Sequence, residues 1–150
     1  MLEPGTPAPG FTLPDQNGES ASLADADGPV VLYFYPRADT EGCTAEACGF
    51  RDNWDAFEAA GVTVFGVSND DTDALRAFHE KYDLPHRLLS DPDGEVASAY
   101  ESYGTVEIRG ETAEIALRNT YVIDDDGVIR HVFEEVSPEE HAAEILERLG

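Results

Sequence analysis

Basic residues are scarce in this chain of 150 residues, in which nine lysines and arginines stand against 32 aspartates and glutamates. The resulting formal net charge of −23 repels nucleic-acid phosphates and anionic membrane surfaces, so neither is expected as a partner. A docking patch for a basic partner would gather the carboxylates in one place, whereas here they occur in every polar segment. We therefore expect a halophilic protein, whose dispersed carboxylates are screened at molar salt.

Long apolar runs are also lacking, and none approaches the roughly 18 residues that a membrane-spanning helix needs. The first residues, Met1–Pro7, have neither the basic nor the apolar segment of a signal peptide, which favours a cytoplasmic location. The length and the hydrophobic fraction of 41% suffice for one core, so residues 1–150 are expected to form a single domain.

Cysteines are few: the chain has two, Cys43 and Cys48. A persistent structural disulfide is disfavoured in a reducing cytoplasm, so a reactive pair is the better interpretation. The four histidines show no metal-ligand spacing with each other or with the cysteines. We therefore expect neither a metal nor another cofactor.

The sequence on either side of Cys43 predicts a strand, then a turn, then a helix that begins near Cys43. The apolar run Val30–Tyr35 is typical of a buried strand, and the segment after it is rich in helix-breaking residues. Aromatic residues at helical spacing then indicate a helix from about Cys43 to Ala60, closed by Gly61. Cys43 would lie in the first helical turn, where unpaired backbone N–H groups and the helix dipole favour the nucleophilic thiolate. The helical spacing comes from Phe50, Trp54 and Phe57.

The remaining patterns extend this unit to β-α-β-α-β, an irregular stretch, and β-β-α. Early strands that alternate with helices indicate parallel pairing, whereas the late hairpin is antiparallel. We expect an α/β thioredoxin-like fold, with a mixed central sheet flanked by helices and an N-terminal β-hairpin. The predicted elements are a hairpin around Asp15–Gly18, strands Val62–Ser68 and His86–Leu89, a helix from Asp71 or Thr72 to Tyr82, a short helix Glu95–Tyr100, a loop or weak hairpin Tyr103–Glu114, strands Leu117–Ile123 and Val128–Phe133, and a helix from Ser137 to Leu149.

The spacing Pro-x-x-x-Thr-x-x-Cys from Pro36 to Cys43, with the second cysteine at Cys48, resembles the peroxiredoxins. The most similar branch is that of bacterioferritin comigratory protein, or peroxiredoxin Q. The resemblance extends over nearly the whole chain. It includes Phe11–Leu13, Ala47–Asp52, Leu89–Asp91 and Arg118–Asp124.

The resemblance implies a thiol-dependent peroxidase in which Cys43 is the peroxidatic cysteine. Arg118 would supply the cation beside the thiolate, and Thr40 would supply a hydroxyl to thiolate and peroxide. Pro36 would shield the pocket from water, and backbone N–H groups near Gly42 would bind the peroxide oxygens. Two of these residues also have simpler interpretations, because Thr40 could cap the helix and Arg118 could be an exposed strand residue. The implied partners are a hydroperoxide substrate and thioredoxin or a similar dithiol reductant.

Cys48 would resolve the Cys43 sulfenic acid as an intramolecular disulfide. On an ideal helix a five-residue step leaves the two Cα atoms roughly 8.6 Å apart, whereas a disulfide needs less than about 7 Å. Resolution by Cys48 therefore requires the helix to unwind, and the alternative is that Cys48 is a buried bystander. A disulfide within one chain needs no partner copy, so a monomer is expected.

One position departs from the branch, which commonly has proline where this chain has Glu41. Together with Asp39 and Glu46, this carboxylate opposes thiolate formation at Cys43. Three arginines, Arg37, Arg51 and Arg118, could offset that charge, and high salt would screen the exposed carboxylates.

Two other functions remain open at this point. A general thiol–disulfide oxidoreductase is disfavoured, because the chain lacks Cys-x-x-Cys. A peroxide sensor or holdase would use the same cysteines, with local unfolding of their helix recruiting a partner.

Overall fold

The computed structural model describes residues 3–23, 28–35, 41–108, 110–116, 119–133 and 145. This part of the chain forms a sheet of five strands, two separate hairpins and a set of helices. In chain order the elements are β1 (Thr12–Pro14), β2 (Ser20–Ser22), β3 (Val30–Phe34), α1 (Glu41–Asp52), α2 (Trp54–Ala59), β4 (Thr63–Ser68), α3 (Thr72–Tyr82), β5 (Arg87–Ser90), α4 (Glu95–Ala99), β6 (Tyr103–Ile108), β7 (Glu111–Ala116), β8 (Thr120–Ile123) and β9 (Ile129–Phe133).

The main sheet has the strand order β5-β4-β3-β8-β9. Strands β3, β4 and β5 run parallel, whereas β8 pairs antiparallel with both β3 and β9. In the register of β3, Leu32 lies between Phe65 of β4 and Tyr121 of β8. The predicted mixed sheet is confirmed.

Alternate residues of β3 pack against different layers, because successive side chains of a strand point to opposite faces. Val31 and Tyr33 belong to a buried cluster on the face covered by α1, α2 and α3. Leu32 and Phe34 belong to a second cluster, which includes residues of α4 and, at its border, Phe11 near the N-terminus. Helices therefore flank both faces, as the sequence predicts. The buried aromatic side chains of the first cluster are Tyr33, Tyr35, Phe50, Phe57, Phe78 and Phe133.

The helix predicted from Cys43 to Ala60 is two helices, which is a correction to the sequence analysis. Asn53 separates α1 from α2, and both its backbone N–H (3.2 Å) and its side-chain Nδ2 (2.8 Å) donate to the carbonyl oxygen of Gly49. Asparagine side chains compete in this way with helical backbone bonds. The helical segment ends at Gly61, as predicted. Gly61 has φ +72°, and the backbone N–H of Val62 donates to the Phe57 carbonyl oxygen.

The predicted helix that ends at Tyr82 is α3, and Asp71 caps it by accepting a hydrogen bond from Ala74 N–H at 2.8 Å. The stretch predicted as a loop or weak hairpin is the regular hairpin β6–β7, with six residue pairs in register. Of the predicted C-terminal helix only Ile145 is described; it is helical and fully buried in the cluster on the α1–α3 face.

The N-terminal hairpin β1–β2 is confirmed, and an ion pair attaches it to the main sheet. Arg87 of β5 donates to Asp15 through Nε at 2.9 Å and Nη2 at 2.8 Å. Burial alone would raise the pKa of Asp15, but hydrogen bonds from Asn17 N–H, Arg87 and Glu19 N–H hold it below its ordinary value.

Candidate active site

Cys43 is the third residue of α1, since the helix begins at Glu41. The predicted position in the first helical turn is confirmed. Its backbone N–H is among the four at the start of a helix that have no carbonyl partner within it, and these carry the positive end of the dipole. The side chain of Cys43 lies outside the described part of the structure.

Three other predicted site residues, Pro36, Thr40 and Arg118, also lie outside the described residues, so their roles stay predictions. Gly42 is the second residue of α1, next to Cys43. Its backbone N–H belongs to the same unpaired set at the start of the helix. The predicted use of this N–H in binding peroxide oxygens stays a prediction.

The end of β3 is held on both sides just before the chain enters the Pro36–Thr40 segment. The backbone N–H of Phe34 donates to the Asn119 carbonyl oxygen at 2.9 Å, and that of Tyr35 donates to Val67 at 3.0 Å. The site therefore begins at the carboxyl end of a fully buried central strand. In α/β sheets, ligands bind beyond this end of the strands.

Asn119, directly before β8, is a site neighbour whose role the sequence analysis did not single out. It is buried, and its Nδ2 donates to Ser102 Oγ at 3.1 Å. Ser102 Oγ in turn donates to the Tyr100 carbonyl oxygen at 3.0 Å, which also accepts a hydrogen bond from Tyr121 Oη at 2.5 Å. This network fixes the backbone directly after Arg118 beside the end of β3. No motif in the sequence indicates it, because its members are distant along the chain.

Cys48 lies in the same continuous helix as Cys43, is half-buried and is a free cysteine. Helical geometry over this segment puts the two Cα atoms roughly 8.6 Å apart, beyond the reach of a disulfide. The helix thus confirms that the two cysteines are not a preformed pair.

The C-terminal half of α1 is attached to its surroundings by packing and by hydrogen bonds. Phe50 is fully buried, and its ring stacks on Tyr33 with 4.6 Å between centroids. Arg51, expected to offset the acidic residues near Cys43, instead donates through Nη1 to the Tyr82 carbonyl oxygen at 2.8 Å and through Nε to Asp52 at 3.1 Å. Its guanidinium is directed to the C-terminal end of α3.

His86 is a buried titratable group beneath α1 and α2. Its Nε2 lies 2.6 Å from Tyr33 Oη, and its ring contacts Phe50 and Trp54. Burial, with a smaller contribution from the charge of His79, lowers the pKa of His86 to about 3, so the ring is neutral at physiological pH. Among the residues that the structure describes, its Nδ1 has no hydrogen-bond partner. The sequence does not signal this pair, because 53 positions separate the two residues.

A cavity of about 290 Å³ lies at the opposite end of the sheet, beside Val30 and Ile123. Val30 begins β3 and Ile123 ends β8, so this cavity is remote from the start of α1. Within the described ranges, histidine, cysteine and carboxylate side chains form no group of three that could hold a metal ion. In the same ranges, no helix has the length and apolar character needed to cross a membrane.

Comparison with known proteins identifies the family. Residues 4–132 match the AhpC/TSA family. The chain is 43% identical over 146 residues to peroxiredoxin Bcp of Escherichia coli strain K12, which covers 97% of this chain and 94% of the relative.

Solved structures agree with this assignment. The crystal structure of peroxidoxin BcpB from Mycobacterium tuberculosis matches with a TM-score of 0.89 and 36% identity, over 99% of this chain and 97% of that one. The bacterioferritin comigratory protein of Xanthomonas campestris, studied for its alkyl peroxide reduction activity, matches with a TM-score of 0.86 and 26% identity, over 93% of this chain and 89% of that one. The chain therefore belongs to the AhpC/TSA family, in its Bcp/peroxiredoxin Q branch, and is a thiol peroxidase.

Proposed function

We propose that the chain reduces hydrogen peroxide and small organic hydroperoxides with Cys43 as the peroxidatic cysteine and Cys48 as the resolving cysteine. The observation that carries the proposal is the position of Cys43 in the first turn of α1, at the carboxyl end of β3. A thiolate there is stabilised by unpaired N–H groups and by the helix dipole. The alkyl peroxide activity named for the Xanthomonas relative supports the extension to organic hydroperoxides.

In the first step, the Cys43 thiolate attacks one oxygen of the peroxide. A sulfur–oxygen bond forms, the O–O bond breaks, and the departing hydroxide or alkoxide takes up a proton. Cys43 becomes a sulfenic acid. Arg118 and Thr40 would stabilise thiolate and peroxide, Pro36 would exclude water, and the backbone N–H of Gly42 would help to bind the negative charge that develops on oxygen.

In the second step, the Cys48 sulfur attacks the sulfur of the sulfenic acid. A disulfide forms and the hydroxyl leaves as water. Because α1 keeps the two Cα atoms roughly 8.6 Å apart, the helix must unwind between them before the bond can form. This reaction removes the sulfenic acid before a second peroxide can oxidise it to the sulfinic acid.

A thioredoxin-type dithiol would then reduce the disulfide by exchange, which returns both thiols and oxidises the dithiol. The cycle serves antioxidant defence and redox homeostasis. We also propose that the protein is a single domain and is cytoplasmic. It would act as a monomer, because a disulfide within one helix of one chain needs no second copy.

Intact mass spectrometry tests the proposal with wild type, Cys43→Ser and Cys48→Ser, each mixed with one equivalent of hydrogen peroxide. We expect wild type to lose about 2 Da as the disulfide forms, and Cys48→Ser to gain about 16 Da as the sulfenic acid persists. Cys43→Ser should be unchanged, since it lacks the nucleophile. Oxidation of Cys43→Ser at the wild-type rate would overturn the assignment. Sustained peroxide consumption with a dithiol separates this enzyme from a sensor, which oxidises but does not turn over.

A further inference from the structure

His86 is covered by the helix that carries the cysteines and by the helix that follows it. The centroid of its ring lies 5.8 Å from that of Phe50 in α1 and 6.3 Å from that of Trp54 in α2. Its Nε2 lies 2.6 Å from Tyr33 Oη of β3. Because His86 is only 1% exposed, α1 and α2 help to keep water from a group that can take up a proton.

Formation of the proposed disulfide disturbs this cover. The Cα atoms of Cys43 and Cys48 must approach from roughly 8.6 Å to less than about 7 Å. Cys48 lies between Ala47 and Phe50, which are 1% and 0% exposed and belong to the core. Turning Cys48 toward Cys43 therefore moves Phe50 as well, and with it one of the two rings over the histidine.

Helix α2 depends on the end of α1. The side chain of Asn53 makes no cap for α2, and its Nδ2 donates instead to the Gly49 carbonyl oxygen of α1 at 2.8 Å. The backbone N–H of Asn53 donates to the same oxygen. Unwinding that reaches Gly49 removes this support, so Trp54 loosens together with α1 and water reaches His86.

The charge of the ring differs between the two arrangements. Burial, followed by the charge of His79 on α3, lowers the pKa of the covered His86 to about 3 from an ordinary value of 6.5. Tyr33 faces the ring from β3, and the side chains that α1 and α2 place on it, Phe50 and Trp54, carry no charge. Below about pH 6.5 an uncovered ring takes up a proton and a covered ring does not. Each pH unit lower thus favours the uncovered arrangement by roughly tenfold.

We propose that His86 is a positioning residue that links disulfide formation to the uptake of a proton. A neutral ring keeps α1 and α2 seated, and a protonated ring favours the opened pair of helices in which the disulfide exists. The proposal rests on the proposed function, in which Cys43 and Cys48 form that disulfide. His86 touches neither peroxide nor the reacting sulfurs and acts through the helices that cover it.

The test is the equilibrium between the cysteine pair and a dithiothreitol redox buffer in molar KCl, approached from both the reduced and the oxidised protein. In this exchange the protein gives two hydrogens to oxidised dithiothreitol as its disulfide forms, and His86 takes one proton from solvent. Alkylation and intact mass give the equilibrium constant from about pH 5.5 to about pH 7.5. The test variant is His86→Gln, whose amide does not titrate and can still bond Tyr33. His131→Gln and His79→Gln, at partly exposed positions, are the controls.

We expect the ratio of the wild-type constant to the His86→Gln constant to rise by roughly tenfold, in favour of the disulfide, between about pH 7.5 and about pH 5.5. For this two-electron couple, tenfold is about 30 mV. Taking the ratio removes the ionisation of the thiols, which both proteins share. His131→Gln and His79→Gln should retain the wild-type profile. A histidine with only a structural role would change stability and leave the two profiles parallel.

Two further measurements keep the test decisive if His86→Gln does not fold. The double variant Tyr33→Phe/His86→Phe removes both polar partners and should also lack the rise. Proton NMR of the histidine rings needs no variant: one more histidine should titrate between about pH 5 and pH 8 in the wild-type disulfide form than in the reduced form. The same number of titrating histidines in both forms would overturn the proposal, as would parallel profiles in the redox titration.

Intact mass separates this failure from failure of the proposed function. If wild type forms the disulfide between Cys43 and Cys48 but its profile runs parallel to that of the variant, only the role of His86 is wrong. If wild type forms no such disulfide at any pH, resolution by Cys48 and the role of His86 fail together.

Discussion

Replacing Tyr33 with phenylalanine tests the buried tyrosine–histidine pair beneath α1. The change removes the Oη that lies 2.6 Å from His86 Nε2 and leaves that nitrogen without its partner in a fully buried site. A buried polar group that loses its hydrogen bond costs about 1–3 kcal/mol, and we take about 2 kcal/mol here. For a chain of this length that corresponds to a melting temperature lower by roughly 4–8 °C.

The same pair sets a pH dependence, whose sign follows from the neutral state of the buried ring. The pKa of His86 is about 3 in the folded protein against 6.5 for the unperturbed side chain. The unfolded chain therefore binds a proton in a pH range where the folded protein does not. The contribution of the neutral His86 ring to the free energy of unfolding is complete above the His86 pKa of the unfolded chain. It is lost as the pH falls from there toward the His86 pKa of the folded protein. The free energy of unfolding should drop by about 1.4 kcal/mol for each pH unit below roughly 6.5.

The assay is urea unfolding between about pH 5 and pH 8 in molar KCl, where the screening length is roughly 3 Å and repulsion among surface carboxylates is small. The double variant Tyr33→Phe/His86→Phe removes both polar partners, so it should lose that part of the slope and cost less than the two single changes summed. His131→Gln, at a partly exposed position of β9, is the matched control. A double variant with the wild-type slope would refute the reasoning, and so would a Tyr33→Phe protein as stable as wild type.

Three further changes have defined outcomes. Gly66→Ala places a Cβ 2.6 Å from both Cζ and Oη of Tyr33, so the ring must shift, and urea unfolding should show a loss of about 2–3 kcal/mol. Added KCl should raise the melting temperature up to molar concentrations, because salt screens the repulsion among the carboxylates of a chain with a net charge of −23. A melting temperature that does not rise with salt would argue against halophilic adaptation. Cys48→Ser should react once with peroxide and then accumulate sulfinic acid by intact mass, whereas sustained turnover with a thioredoxin-type reductant would contradict resolution by Cys48.

The main elements were predictable where a short stretch of sequence carries the determining physics. Strand β3 is buried on both faces, so its sequence is a continuous run of apolar residues. Helix α3 has an aspartate cap and apolar residues at helical spacing, and Leu75 and Phe78 are buried on its inner face. The start of α1 was predictable because an apolar strand precedes it and helix-breaking residues lie between the strand and the helix.

The features that the sequence did not reveal depend on contacts between distant residues. At the break, the side chain of Asn53 shares the Gly49 carbonyl oxygen with its own backbone N–H, and the helical periodicity of aromatic residues continues across this position unchanged. Arg51 appeared as a charge near Cys43, whereas its position on the helix directs it to the end of α3. Only the assembled fold brings Tyr33 to His86.

For the candidate site, the helix predicted from the spacing of aromatic residues placed Cys43 and Cys48 in one helix, and the structure bears this out. The surroundings of Cys43 were predicted by resemblance alone. The Asn119–Ser102–Tyr100 network shows why resemblance was needed, since the backbone beside Arg118 is positioned by residues from another part of the chain.

Titration of the Cys43 thiol in the Cys48→Ser variant, followed by ultraviolet thiolate absorbance in molar KCl, is the most direct test of peroxidatic chemistry at the start of α1. The unpaired N–H groups and the dipole of α1 predict a pKa well below that of an unperturbed cysteine, in spite of the nearby carboxylate Glu41. The rate of reaction with hydrogen peroxide should follow the same titration. A pKa at or above the ordinary value of a cysteine thiol would contradict an activated thiolate at Cys43.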